Sequence, residues 1–182
     1  MGAARPDNGA MTRRICLTGV ESTGKSTLAP ILAARFGGVV MPEYGRRWAE
    51  ANGVDFTLEA LRRVAAGHVA ERIEIAAGNP ALIVEDTDIV MTSAWARMLH
   101  GDRDPVLLSI AADADAYLLF AADTPWIDDG TRQFGGTDRQ RFDAIIQAEL
   151  AARGIVPVPI TGDWAMREAA AAAAIAAVLR EG

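Results

Sequence analysis

The segment Gly19-Val20-Glu21-Ser22-Thr23-Gly24-Lys25-Ser26 sets two glycines around four residues and follows them with a lysine and a hydroxyl. A short apolar run, Ile15 to Thr18, precedes it, and a helical pattern opens at Lys25. A strand, a tight loop and a helix in that order turn successive backbone N–H groups into one concavity that suits an anion. The N-terminus of the helix adds the positive end of its dipole. The pattern reads as a cradle for a nucleoside triphosphate. Gly19, Glu21, Ser22, Thr23, Gly24, Lys25, Ser26 and Thr27 are its expected residues. Lys25 serves the β- and γ-phosphates, Ser26 offers a hydroxyl to magnesium, and Thr27 reaches the α-phosphate. ATP and Mg2+ are the expected cofactors.

Lys25 is the only lysine in the chain; the other 17 of the 18 basic residues are arginine. Arginine is a flat fork and lysine a compact charge. The one lysine stands where the chemistry needs a compact charge.

Two acidic segments follow strand-like runs. Val84-Glu85-Asp86-Thr87-Asp88 comes after Ala81 to Val84. An acid at the end of a strand beside a phosphate loop can hold magnesium, directly or through water, and Asp86 is assigned that role. Asp88 either contacts substrate or caps the next helix. Glu85 is read as a solvated or pairing residue. Glu43 lies in Pro42-Glu43-Tyr44-Gly45-Arg46-Arg47, just after Val39-Val40-Met41. A carboxylate there orients an acceptor hydroxyl and takes its proton, or pairs with Arg46 or Arg47. Glu43 and Asp86 are the two candidates for the base, and Tyr44 and Arg46 are placed with Glu43 on the acceptor side.

Asp123-Thr124-Pro125-Trp126-Ile127-Asp128-Asp129-Gly130-Thr131-Arg132 puts a tryptophan among acids in a polar loop. Trp126 is either a loop anchor or a platform for a flat cationic ring. Asp128 or Asp129 suits a ribose diol. Arg132, Arg139 and Arg141 either close over a transferring phosphoryl group or form a solvated helix face. Trp164, in Gly162-Asp163-Trp164, falls where a nucleotide base would lie; the alternative is a helix cap with a core tryptophan. His68 and His100 lack metal-ligand spacing and receive no role.

Alternating elements must position these groups. Strands are expected at 15–18, 39–41, 81–84, 117–120 and 156–160. Helical stretches are expected from Lys25, over 57–77, over 88–99, at Asp104-Pro105, from Thr137 (with Gln140 as a capping box) and after Asp163. Leu58, Leu61, Val64 and Ala65 recur at helical spacing. Pro157 and Pro159 mark a sheet edge. The order implies an α/β fold, a mostly parallel five-stranded sheet with helices on both faces, whose ligands bind at the carboxyl ends of the strands.

A length of 182 residues suits one core, with residues 1–12 a disordered tail and 13–182 a single domain. A net charge of −6 argues against a duplex nucleic-acid partner. The single cysteine, Cys16, excludes an internal disulfide and fits a reducing cytoplasm. Neither a signal peptide nor a membrane span is expected. A homo-oligomer is left open.

GVESTGKST, PEYGRRW, EDTD and TPWIDDGTR occur in the order seen in NadR-type ribosylnicotinamide kinases, and about residues 14–170 resemble that family. The resemblance implies a P-loop kinase fold. It implies phosphoryl transfer from ATP to the 5′-hydroxyl of nicotinamide riboside, with Trp126 on the pyridinium ring and Asp128 or Asp129 holding the substrate. Larger members place a nucleotidyltransferase domain before the kinase. Only about a dozen residues precede the first strand here, so adenylyl transfer and DNA-binding regulation are not expected. Two readings stand beside this one: a kinase for another nucleoside or small metabolite, and a regulatory module that binds nucleotides without turnover.

Overall fold

The computed structural model describes residues 11–127 and 134–181. Five strands, β1 (Arg13–Thr18), β2 (Val39–Met41), β3 (Leu82–Asp86), β4 (Ala116–Phe120) and β5 (Val158–Ile160), form one sheet in the order β2-β3-β1-β4-β5. Every pairing is parallel. The helices are α1 (Lys25–Arg35), α2 (Tyr44–Asn52), α3 (Leu58–Ala77), α4 (Ile89–His100), α5 (Pro105–Ser109), α6 (Gly136–Ala152) and α7 (Trp164–Arg180).

β1 shows why the sheet has three layers. Successive side chains on a strand point to opposite faces. Ile15 and Leu17 join Leu82, Val84, Leu118 and Phe120 against Leu28 and Leu32 of α1 and Ile175 of α7. Cys16, between them, packs on the other face with Val90 and Ala94 of α4 and Phe142 and Ile146 of α6. A strand buried on both sides needs an unbroken apolar run, as a parallel sheet demands. A further cluster, Leu61, Ala65, Ile89, Ala96 and Leu107, ties α3, α4 and α5 together.

Several boundaries differ from the sequence reading. β3 continues through Asp86, so Glu85 and Asp86 belong to the strand. β5 is shorter than expected and leaves Val156 outside, though it does form an edge. Thr137 does not open its helix: α6 begins one residue earlier, with Gly135 at the cap and no side-chain cap bond. Helix α2 was not foreseen. It is nine residues long, follows Pro42 and contains Gly45, so local propensity alone gives it little support. It forms by packing on α3. The Tyr44 ring lies so close to Gly67 that a methyl group there would fall 2.2 Å from the ring.

Candidate active site

The phosphate loop is forced into shape by its neighbours. Gly19 has φ 127°, and a side chain there would meet the Phe120 carbonyl oxygen at 2.4 Å. Gly24, at φ 89°, caps α1. Thr23 Oγ1 donates to the Val20 carbonyl at 2.9 Å. Lys25 Nζ donates to that same carbonyl at 2.8 Å and lies 3.3 Å from Thr23 Oγ1. Burial lowers the Lys25 pKa, against the nearby Asp86, Glu43 and Glu21 carboxylates. A desolvated ammonium facing acids is poised to take a phosphate in exchange for backbone oxygen.

Two arginines hold the loop from behind. Arg139 donates to the Thr124 carbonyl at 2.5 Å and to the Glu21 carbonyl at 3.1 Å. Arg167 donates to the Gly162 carbonyl at 2.8 Å and the Thr23 carbonyl at 3.3 Å, and pairs closely with Asp123. Burial lowers both guanidinium pKa values. Arg139 is buried, so it is not part of a solvated helix face. Sequence reasoning missed Arg167 because nothing local distinguishes it on an alanine-rich helix. The 121–127 segment is also laced to the loop. Thr124 Oγ1 donates to the Ser22 carbonyl at 2.8 Å, and Ile127 N–H donates to Ser22 Oγ at 3.0 Å.

The carboxylates gather at the ends of β2 and β3. Asp86 pairs in register with Leu17 of β1, two residues before Gly19. It is buried, and its Oδ1 has no hydrogen-bond partner. Thr87 is held at φ 68°, a left-handed conformation that is costly for a β-branched residue, while its N–H donates to the Leu17 carbonyl at 3.0 Å. The turn sends Asp86 and Asp88 in different directions. Asp88 caps α4 through Oδ1, 2.9 Å from Val90 N, and accepts from Tyr117 Oη through Oδ2 at 2.6 Å. Burial pushes its carboxyl up, against those bonds. Glu43 sits at the start of α2 with its side chain a quarter exposed, 3.4 Å from Arg46 Nε. Burial first, and then the Asp86 charge, push Glu43 above the usual carboxylate range.

Two cavities adjoin here. One is lined by Gly19, the Glu21 to Thr27 loop, Trp95 and Phe142. The other is lined by Tyr44, Phe56, Leu61, Val64, His68 and Asp88. Glu21, Glu43, Arg46, Thr87, Met91 and Trp95 line both. Trp95 packs on Phe56, Phe134 and Phe142, with centroids 5.3, 4.6 and 5.5 Å away.

The structure therefore brings together the phosphate-loop residues, Glu43, Tyr44, Arg46 and Asp88. Trp126 lines neither cavity; its ring packs over Gly135. Trp95 lines both, and helical spacing among apolar neighbours had hidden it. Trp164 is not a core tryptophan. It is 43% exposed, and its ring lies 3.0 Å from where a side chain on Gly24 would begin, while Asp163 caps α7 through Met166 N at 2.9 Å. Asp128, Asp129 and Arg132 lie outside the described residues. Glu85 is fully buried and paired with Arg14 at 2.6 Å, so it is not solvated.

The donor set suits magnesium. Among the described residues no three His, Cys, Asp or Glu side chains cluster as a metal cage. Magnesium with a nucleotide needs none: it keeps water and phosphate oxygens and takes one or two protein ligands. The exposed Ser26 and the unpartnered Asp86 Oδ1 match that demand. Among the described residues no helix is long and apolar enough to cross a membrane.

A sequence profile of the AAA domain family matches residues 14–167. The trifunctional NAD biosynthesis/regulator protein NadR of Escherichia coli (strain K12) is 32% identical over 153 residues, which cover 79% of this chain and 37% of that protein. Two crystal structures of NadR share the fold. One, in complex with NR, has a TM-score of 0.74 at 22% identity over 90% of this chain and 51% of that one. The other, in complex with NAD and AMP-PNP, has a TM-score of 0.73 at 20% identity over 93% and 50%. The chain spans well under half the length of the curated relative and about half that of the solved structures. With its phosphate loop, parallel sheet and strand-end acids in the arrangement described, the chain belongs to the AAA domain family and has the P-loop fold seen in NadR.

Proposed function

We propose that this protein is a kinase that moves the γ-phosphoryl group of ATP to the 5′-hydroxyl of nicotinamide riboside, leaving ADP and nicotinamide mononucleotide. One observation carries the reading: a phosphate cradle and an acid- and aromatic-lined cavity share a wall containing Glu43 and Arg46. A flat cation on a ribose fits such a cavity, because aromatic faces and carboxylates both favour it. The likeness to NadR, one structure of which holds NR, supports the same acceptor.

The phosphate loop, Gly19 to Thr27, binds the triphosphate through its backbone. Lys25 leaves the Val20 carbonyl and the Thr23 hydroxyl and neutralises charge on the β- and γ-oxygens. The riboside oxygen attacks the γ-phosphorus as the bond to the β-bridging oxygen breaks. The hydroxyl proton passes to Glu43. Glu43 fits the base role better than Asp86, because it lines both cavities and its pKa is raised towards neutrality. Arg46 steadies the transferring group from the shared wall. Ser26 and Asp86 would hold magnesium, which would supply positive charge to offset that of the nucleotide phosphates. The acceptor ring rests against Trp95 and Tyr44, with Asp88 beside it. Trp164, exposed over Gly24, suits the nucleotide base. Asp128, Asp129 and Arg132 keep the substrate and phosphate roles drawn from their sequence. Residues 13–182 act as one catalytic unit, and the lone buried thiol of Cys16 suits a cytoplasmic enzyme.

The test is ADP release from ATP and magnesium with a panel of nucleosides. Stimulation by nicotinamide riboside, with mononucleotide formed in equal amount, is expected. Turnover only with another nucleoside would replace the acceptor. Binding without turnover of any would make the protein a regulatory module.

A further inference from the structure

His68 has no part in the chemistry described so far. It lies on α3, buried, and lines the acceptor-side cavity. Its Nε2 faces Glu85 Oε2 at 3.6 Å, and neither atom has a hydrogen-bond partner. Glu85 does not line the cavity. It is fully buried on β3, with Oε1 held by Arg14 Nε at 2.6 Å; Arg14 also donates to Asp113. A buried carboxylate is costly unless its neighbours use it. Arg14 uses one oxygen, and His68 is the group that faces the other.

A closing movement of roughly half an ångström turns the 3.6 Å approach into a hydrogen bond. A carboxylate only accepts, so Nε2 must carry the hydrogen. In a neutral imidazole the other nitrogen is then a bare acceptor. Nδ1 is the nitrogen left for whatever occupies the cavity. Glu43 and Asp88 line the same cavity, so an anionic group on the occupant meets acids there as well.

We propose that His68, set by Glu85, is a specificity-determining residue: Nδ1 accepts a hydrogen bond from a primary carboxamide on the acceptor's flat ring and disfavours a carboxylate in the same place. The inference rests on the kinase reading above and extends it to the ring substituent.

The experiment compares kcat/KM for nicotinamide riboside and its carboxylate analogue in the wild type, His68→Leu and His68→Asn. The wild type is expected to prefer the amide. His68→Leu is expected to lower that preference about tenfold, through KM and not kcat. His68→Asn, which places an amide oxygen near the Nδ1 position, is expected to keep most of it. A structural role alone would move both acceptors together, and an unchanged ratio in His68→Leu overturns the proposal. If His68→Leu fails to fold, Glu85→Gln decides. Its side-chain amide no longer fixes the imidazole tautomer, so the ratio falls; an unaltered ratio there also overturns the proposal. A wild type that uses the amide without preferring it sinks this inference alone. A wild type that uses neither riboside sinks the acceptor reading, and this inference with it.

Discussion

Tyr117 donates its hydroxyl hydrogen to Asp88 Oδ2 at 2.6 Å, while Oδ1 of the same carboxylate caps α4 at Val90. Both oxygens of Asp88 are thereby engaged. The bond ties β4 to the start of α4 across one face of the sheet, and it fixes the wall of the acceptor cavity. Removing the phenol leaves a buried carboxylate oxygen unpaired. Tyr117→Phe is expected to cost about 1–3 kcal/mol of stability, read from urea unfolding. Equal stability would show that this bond contributes nothing in solution.

Lys25→Ala is expected to abolish detectable ADP formation while leaving the thermal transition unchanged or raised. The ammonium is desolvated and bound mainly to backbone oxygen, so folding does not depend on it. Turnover within tenfold of the wild type would remove Lys25 from the γ-phosphate.

The raised pKa of Glu43 has a direct consequence for the pH profile. A base works only when deprotonated, so activity is lost as pH falls through that raised value. The acid limb of kcat is therefore expected above the ordinary glutamate range. Glu43→Gln is expected to lower kcat by roughly 10²–10⁴-fold and to erase that limb. An unaltered limb in the variant would move the base to another residue, with Asp86 next in line.

Gly19→Ala is expected to lose about 1–3 kcal/mol of stability and to weaken nucleotide binding in titrations with a non-hydrolysable ATP analogue. The added methyl group has nowhere to go but into the Phe120 carbonyl, at a φ that side chains rarely adopt. Binding at wild-type strength would mean that the loop can relax without harm.

Trp95 and Trp126 are distinguished by acceptor KM. Trp95→Phe keeps an aromatic core and is expected to raise KM several-fold, because the smaller ring offers less face to the cavity. Trp126→Ala is expected to leave KM within about twofold, since its ring packs on Gly135. A KM raised by Trp126→Ala, about 1–2 kcal/mol weaker in binding, would instead place the 121–127 loop over the acceptor.

Burial makes Glu85 a probe of acid stability. Burial alone would raise its pKa, but the facing His68 imidazole and the Arg14 bond outweigh that and lower it. A lowered carboxyl pKa contributes stability above the unfolded value, and that stability is lost as pH falls through the folded value. Glu85→Ala is expected to cost about 1–3 kcal/mol near neutral pH, because Arg14 keeps Asp113 but its Nε loses the buried acceptor. It is also expected to flatten the acid end of the stability profile, measured by urea unfolding across pH. A profile parallel to the wild type would show that Glu85 is not the linked group.

The sequence by itself determined the nucleotide end of this protein. The glycine spacing, the lone lysine and the strand–loop–helix order are local properties, and local properties survive in a linear reading. The alternation of apolar runs with helical periodicity likewise sufficed for the parallel α/β architecture. The acceptor end was decided by tertiary structure. Helix α2 exists because Tyr44 finds Gly67, twenty-three residues away; Trp95 becomes a cavity wall because Phe56, Phe134 and Phe142 surround it; and Glu85 is buried because Arg14 and His68 meet it from two other elements. Each of those facts depends on which distant residues are brought within a few ångströms, and no spacing along the chain encodes that.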